Sequence, residues 1–319
     1  RFFTLFSYTT AFSVFLACKL GAVAALLWLW RTRFLDEGRS GLFFLFCLFA
    51  FNGALFIDLY NGNIAVFEQL LLWTAFGFLL NGRSALFCVF VLIAASCKIT
   101  PLFFLALLLF AGDPKGKIYL AVSLGLFAGF HLSTFLAMRV EPAGFLQNAF
   151  FAMGSAGEGG VINPSILSLV RELLRMFSCG YPFAQALLFA AAVSAVLWIS
   201  CRAFARCAFA GRDDRLRFAV LFACVVYALV VPRMKDYSYV ILIVPAFVIF
   251  WRCDGIGSAV PLIAMSSFCT RPDTLPLLNA GFMVAWKYYP LALAFVVWGL
   301  YLRCLRQDKR AAGRPHIGA

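Results

Sequence analysis

The chain has 319 residues, of which 64% are hydrophobic, and a formal net charge of +13. An ordinary soluble domain is about 45–50% apolar even with glycine counted, and the mean hydropathy of +0.92 points the same way. These values exclude a soluble helical bundle, the continuity of the apolar runs excludes a β-barrel, and the scatter of basic clusters between those runs excludes one continuous face for a nucleic acid.

Apolar runs of near-spanning length fall at 9–30, 40–58, 63–80, 118–138, 181–200, 218–232, 237–251 and 284–302. A span needs about 20 mostly apolar residues, so each run predicts a membrane helix. The first residue is Arg1, and no basic-then-apolar segment with a small-residue cleavage site follows it. The basic residues then set the topology. Arg31, Arg33 and Arg39, then Lys115 and Lys117, then Arg202, Arg206, Arg212, Arg215 and Arg217, and finally Arg303, Arg306, Lys309, Arg310 and Arg314 mark inner loops and an inner tail.

Between Arg83 and Lys115 an even number of crossings must fit. Residues 85–97 and 101–112 allow this only as two short arms of about 12 residues, or about 18 Å each. Their apex is Lys98-Ile99-Thr100-Pro101. Proline lacks an amide hydrogen and disfavours helix at the residue before it, and it is tolerated in the first turn of a new helix. A broken hairpin with its apex in a protein cavity is expected. The alternative is one tilted, proline-kinked helix with a snorkelling lysine.

Residues 118–138 lead outward to a long polar segment, 139–180, with glycine dense at 154–160. Asn163-Pro164-Ser165 then opens a short pattern in which Ile166, Leu169, Val170, Leu173 and Leu174 share one face, with Arg171, Glu172 and Arg175 toward another. It predicts a helix lying in the membrane interface. A further short segment is expected at 256–269. The fold expected is an all-α polytopic membrane protein of about eleven embedded segments, some short or broken. It forms a single transmembrane domain over 1–319, with 139–180 as an extracytoplasmic loop.

Other chemistries find no support. No internal repeat is evident, and there is no GxxxxGK[ST] phosphate loop, so ATP hydrolysis is not expected. Eleven cysteines show no CxxC spacing, and several, such as Cys47, Cys88 and Cys224, lie inside apolar runs. His131 and His316 are far apart. Neither a disulfide framework nor a metal site is expected.

Four outer-face features call for a reason: Asp58 with Asn61, Gly62 and Asn63; Lys98; Asn163, Ser165, Arg171 and Arg175; and the turn Pro232-Arg233-Met234-Lys235-Asp236-Tyr237-Ser238-Tyr239. A lysine at membrane depth costs about 2.5–3.5 kcal/mol on insertion scales, so Lys98 needs an aqueous cavity or a partner. Arg233 and Lys235 break the charge asymmetry of the other loops. Together they suit a phosphate at the bilayer surface, and the nearby amides suit hydroxyls. A sugar on a polyprenyl phosphate offers both.

In their order and spacing these residues resemble the bacterial polyprenyl-phosphate-sugar-dependent glycosyltransferases of family 87, of the GT-C class, which include phosphatidylinositol-mannoside mannosyltransferases. The resemblance rests on Gly62-Asn63-Ile64, then Asn81-Gly82-Arg83-Ser84-Ala85, then Lys98-Ile99-Thr100-Pro101. Asn163-Pro164-Ser165-Ile166 with Arg171, and the outer turn from Pro232, extend it. Asn63 stands where the family has glutamine, and Ala65 or Val66 where it has asparagine. The resemblance implies inverting transfer of a hexose, mannose-like, or a pentose from a polyprenyl-phosphate lipid to a lipid or glycan acceptor. It implies a multi-pass protein of the bacterial plasma membrane whose active site faces outward. Within that reading, charge placement makes Lys98, Arg233 and Lys235 the candidates for the donor phosphate, and Asn63, Asn163, Ser165, Arg171, Asp236 and Tyr237 the candidates for sugar or acceptor. A phosphate monoester leaving group needs less metal assistance than a nucleotide diphosphate, so no cofactor and no metal are expected.

The family's catalytic aspartate lies in a first outer loop that the residues before position 9 are too few to hold. The chain is therefore expected to be an N-terminally truncated copy, and Asp58 is a candidate base only as an outer-face carboxylate. The competing expectations are a lipid or solute transporter or flippase, which also uses broken helices, and an assembly protein, which leaves Lys98 unexplained.

Overall fold

The computed structural model of the protein describes residues 7–35, 40–138, 144, 159–160, 162–177, 182–207, 209, 211–252 and 286–312. Among these residues the secondary structure is helical throughout, and five helices are long and apolar enough to cross a membrane. The protein is an all-α polytopic membrane protein. The segment expected at 256–269, and most of the glycine-dense stretch, lie outside the described residues.

Helix α1, Tyr8–Arg33, is capped by Ser7, whose side chain accepts the Thr10 amide. It ends with Arg31 and Arg33 in its last turn, where the helix dipole favours cations. Its buried residues are Lys19, Ala22, Leu26 and Trp30, three or four apart on one stripe, and the rest of the helix is mostly apolar and exposed or half-exposed. That stripe packs on α3, Ala65–Leu80, through Trp30 against Trp73 at 5.8 Å and Phe34 against Trp73 at 4.7 Å.

Helix α2, Ser40–Tyr60, differs from expectation. The run 40–58 was expected as one uninterrupted span, but the backbone leaves the helical region at Ala50 and turns left-handed at Phe51, Asn52 and Gly53 (φ 53°, 62° and 67°). Asparagine and glycine tolerate this region, whereas phenylalanine is strained there. Phe51 is fully buried and stacks on Tyr239 at 5.8 Å, so packing holds the bend.

The expected break at Lys98 is present. Helix α4, Ser84–Cys97, stops where Lys98 becomes extended (φ −157°, ψ 124°), and Pro101 sits in the first turn of a 3-10 helix, Thr100–Leu109. At 1.5 Å per residue α4 rises about 21 Å, and the 3-10 segment at 2.0 Å per residue rises about 20 Å. The arms are therefore matched, and each covers about two-thirds of a ~30 Å hydrocarbon core. They fold back on each other: the Ser84 hydroxyl at the start of α4 donates to Asp113 Oδ2 at 2.7 Å, just beyond the second arm. That bond, first among its contacts, holds the Asp113 carboxyl below its ordinary range.

Helix α5, Gly116–Met138, is almost wholly uncovered and apolar. The short amphipathic helix α6 is Ile166–Met176, as its sequence pattern predicted, and α7, Pro182–Ala205, is again mostly uncovered. In contrast α8, Arg212–Val230, is buried nearly continuously from Leu216 to Leu229 and forms the core with α3 and the hairpin. Phe104 bridges Phe76 at 5.0 Å and Tyr227 at 4.8 Å. Because α8 begins at Arg212, the last arginines of the expected 202–217 loop lie in its first turns. A 3-10 segment, Asp236–Leu242, runs into α9, Ile243–Arg252, and α10, Tyr289–Ala312, closes the bundle.

One end of the bundle gathers the basic segments. Arg217 donates to the Phe34 carbonyl at 2.7 Å, and Arg212 donates twice to the Ala111 carbonyl at 3.0 and 2.6 Å. Gly112, left-handed at φ 64°, lets that guanidinium approach, and a Cβ there would meet Arg212 Nε at 3.1 Å. The apex of the hairpin lies at the opposite end.

Candidate functional site

At that opposite end, sequence-distant segments converge. Gly62, left-handed at φ 65°, turns the chain from α2 into α3 and sets Asn63 beside the new helix. The hairpin brings Lys98 to the same level, where Thr100 and Tyr227 share a hydroxyl–hydroxyl bond of 2.7 Å that ties the apex to α8. The turn after α8 supplies Arg233, Lys235 and Tyr237. These residues line a cavity of about 240 Å³ with Ile64, Ala65, Glu68 and Cys97. Its size is just below the ~300–1,000 Å³ of drug-sized sites.

The outer turn is itself braced. Ser165 accepts the Ser168 amide as the N-cap of α6 and donates its hydroxyl to the Pro232 carbonyl at 2.7 Å. Tyr239 donates to the Pro164 carbonyl at 2.6 Å, and the Asp236 amide reaches the Ile162 carbonyl at 3.3 Å. The Asn163–Ser165 segment therefore positions the cationic turn. Asp236 Oδ1 accepts the amide of Tyr237 at 2.8 Å. Burial raises the Asp236 carboxyl above its ordinary value, against the lowering effect of that amide and of Lys235, while Asp58 adds to the rise.

Of the residues singled out from sequence, the cavity brings together Asn63, Lys98, Arg233, Lys235 and Tyr237. Asp58, Asn163, Ser165, Arg171 and Asp236 do not line it. Ser165 is occupied by its cap and tether. Asn163 is buried, and its side-chain oxygen has no hydrogen-bond partner among the described residues. Arg171 is half-buried on α6. Asp58 is fully buried and paired with Lys19 at 3.1 Å, and the same ammonium also donates to the Asp58 carbonyl. A carboxylate so enclosed is not placed to take a proton from a ligand in the cavity; it fixes α1 to the end of α2.

Two functional-looking residues escaped the sequence reading. Lys19 lies in the middle of the 9–30 run and Glu68 in the 63–80 run. An ionisable residue within an apolar run is itself the signal that could have found them. Glu68 is 7% exposed, lines the cavity, and lies within electrostatic reach of Lys98 and of Asp58.

On the far side of the short amphipathic helix, Lys287 and Tyr288 grip Glu172 at 2.9 and 2.8 Å, and Tyr288 also reaches the Ser168 hydroxyl at 3.2 Å. Its ring fills the space at Gly160, where a Cβ would meet it at 2.6 Å. Burial alone would push the Glu172 carboxyl up, but the bonds from Lys287 and Tyr288 outweigh it and hold the group below its ordinary value. A separate apolar groove of about 290 Å³, lined by Phe103, Phe110, Leu197, Phe204, Phe222 and Val226 among others, offers no charged group.

No curated protein and no solved structure matches the chain. The family model for glycosyltransferase family 87 matches residues 1–232, which include the hairpin apex and the segment that braces the outer turn. With that match over most of its length, the chain belongs to glycosyltransferase family 87.

Proposed function

We propose that the protein is a polyprenyl-phosphate-sugar-dependent transferase. It moves a hexose, mannose-like, or a pentose to a lipid or glycan acceptor on the extracytoplasmic face of the bacterial plasma membrane. The observation that carries this reading is the convergence of Lys98, Arg233 and Lys235 on one cavity at the end of the bundle away from the basic loops. Cations in a poorly solvated site favour an anion whose charge grows during reaction.

In the transfer an acceptor hydroxyl passes its proton to a carboxylate base and attacks the anomeric carbon from the face opposite the lipid phosphate. A new carbon–oxygen bond forms and the anomeric carbon–phosphate oxygen bond breaks, which inverts the centre. The leaving polyprenyl phosphate gains one negative charge. Lys98 and Lys235 meet it as point charges, and Arg233 with paired hydrogen bonds. Asn63 and Tyr237 supply polar contacts for hydroxyls.

The test is transfer by the purified full chain from polyprenyl-phosphate mannose and polyprenyl-phosphate arabinofuranose, each labelled in the sugar. Labelled acceptor product with released polyprenyl phosphate is expected from one of them. A protein that is monodisperse and binds neither donor nor polyprenyl phosphate would overturn the reading.

A further inference from the structure

A cavity that bound phosphate alone would be weakened by a carboxylate in its wall. Glu68 lines this one from the first turn of α3, nearly buried, within electrostatic reach of Lys98. An ionised carboxylate only accepts hydrogen bonds. Beside a bound phosphate it repels, so a ligand that sits well against Glu68 must present donors to it. Asn63, one turn earlier, and Tyr237, across the cavity, are polar groups suited to the same kind of ligand. The cations come from the hairpin apex and the outer turn, whereas Glu68 and Asn63 come from the start of α3. The wall therefore carries both cations suited to a phosphate and polar groups suited to hydroxyls.

We propose that Glu68 is a sugar-binding residue, whose carboxylate accepts hydrogen bonds from hydroxyls of the sugar while Lys98, Arg233 and Lys235 hold the lipid phosphate. This rests on the lipid-phosphate reading above. It makes Glu68 the residue that separates a sugar-bearing lipid phosphate from the bare lipid phosphate released after transfer. The carboxylate attracts the first through its hydroxyls and repels the second through its charge.

The experiment compares binding of polyprenyl phosphate, polyprenyl-phosphate mannose and polyprenyl-phosphate arabinofuranose to the full chain in detergent, for wild type, Glu68→Gln and Glu68→Ala. Wild type is expected to bind at least one sugar-bearing lipid more tightly than the bare one. The variants are expected to lose about tenfold to a hundredfold in affinity for that lipid, while holding or gaining affinity for polyprenyl phosphate. A loss for the sugar-bearing lipid with no loss for the bare one is the signature. Equal losses for all three lipids would mean that Glu68 only holds Lys98 in place, and would overturn the assignment. The wild-type comparison needs no variant to fold. Bare polyprenyl phosphate bound as tightly as both sugar forms would overturn the Glu68 role while leaving the phosphate reading standing. Failure of wild type to bind any of the three would remove both.

Discussion

Lys19 and Lys98 both interrupt apolar stretches of this chain, and each lies near a carboxylate, but in different ways. Lys19 and Asp58 are both 0% exposed, 3.1 Å apart, and do not line the cavity. Lys98 and Glu68 face a common space of about 240 Å³ that also admits Arg233 and Lys235. The first pair is a buried ion pair that joins two helices. The second leaves charge directed at a volume that a ligand can enter. The difference teaches that a membrane-depth lysine signals function only when its surroundings are incomplete without something else. A third pair, Lys287 with Glu172, is 30% and 25% exposed and only latches the amphipathic helix.

Breaking the closed pair should cost the most. Asp58→Ala or Lys19→Met leaves a buried charge uncompensated, which typically costs about 3–5 kcal/mol. Each variant should show a large loss of thermal stability in detergent. Replacing both, as Lys19→Met with Asp58→Leu, should restore most of it, since removing a whole buried pair is often neutral. A double variant as unstable as the singles would break the comparison, because it would mean that the pair's charges do more than satisfy each other.

The open pair should show the reverse pattern. Lys98→Ala and Arg233→Ala should keep the fold and each lose about 2–4 kcal/mol of transition-state stabilisation, roughly 30-fold to 1,000-fold in transfer rate. Lys98→Arg should not fully rescue, because a planar fork does not replace a compact ammonium where the helix breaks. Wild-type rates from a monodisperse Lys98→Ala protein would reduce Lys98 to a snorkelling residue.

A smaller effect separates bracing from binding. Ser165→Ala removes an N-cap and the tether to Pro232, and should cost about 1 kcal/mol of stability. Its transfer rate should fall less than that of Arg233→Ala, since the cations themselves remain. A loss equal to that of Arg233→Ala would place Ser165 in contact with substrate.

The smallest effect belongs to the exposed latch and is read through pH. Glu172 is held below its ordinary value when folded, so its contribution is present above the unfolded value, near 4.3, and fades as pH falls through the lower folded one. The stability gap between wild type and Glu172→Gln should therefore be constant near neutral pH and shrink only below about 4.3. A gap that shrinks already between about pH 7 and 5 would contradict a depressed Glu172.

The spans were legible in the sequence because apolar runs of spanning length have few alternatives, and the hairpin because Lys98 and Pro101 interrupt one such run where charge asymmetry demanded two crossings. The bend in α2 was legible in principle. Asn52-Gly53 is a turn dipeptide, but the apolar residues on both sides masked it. That Thr100–Leu109 would be a 3-10 helix was not legible, since nothing in Leu102 to Leu109 favours one helical form over the other. The cations of the site could be read because they violate the local charge pattern. Glu68 and Lys19 were passed over because a single charge barely lowers the mean of a strongly apolar run. Which carboxylate each lysine meets depends on helix pairing that no local pattern encodes.

The matched short arms also bear on how the chain enters its membrane. Neither α4, at 14 residues, nor the 3-10 helix, at 10, reaches the length that lets an apolar segment partition into the bilayer alone. The two must therefore be inserted as one unit, which is completed only when α8 packs against it. The Ser84–Asp113 clasp can form only after the second arm has left the biosynthetic machinery. Assembly of the cavity is thus a late event in biogenesis, and a nascent chain stalled before α8 would carry Lys98 without Tyr227 to tie the apex and without the outer turn that completes the cavity.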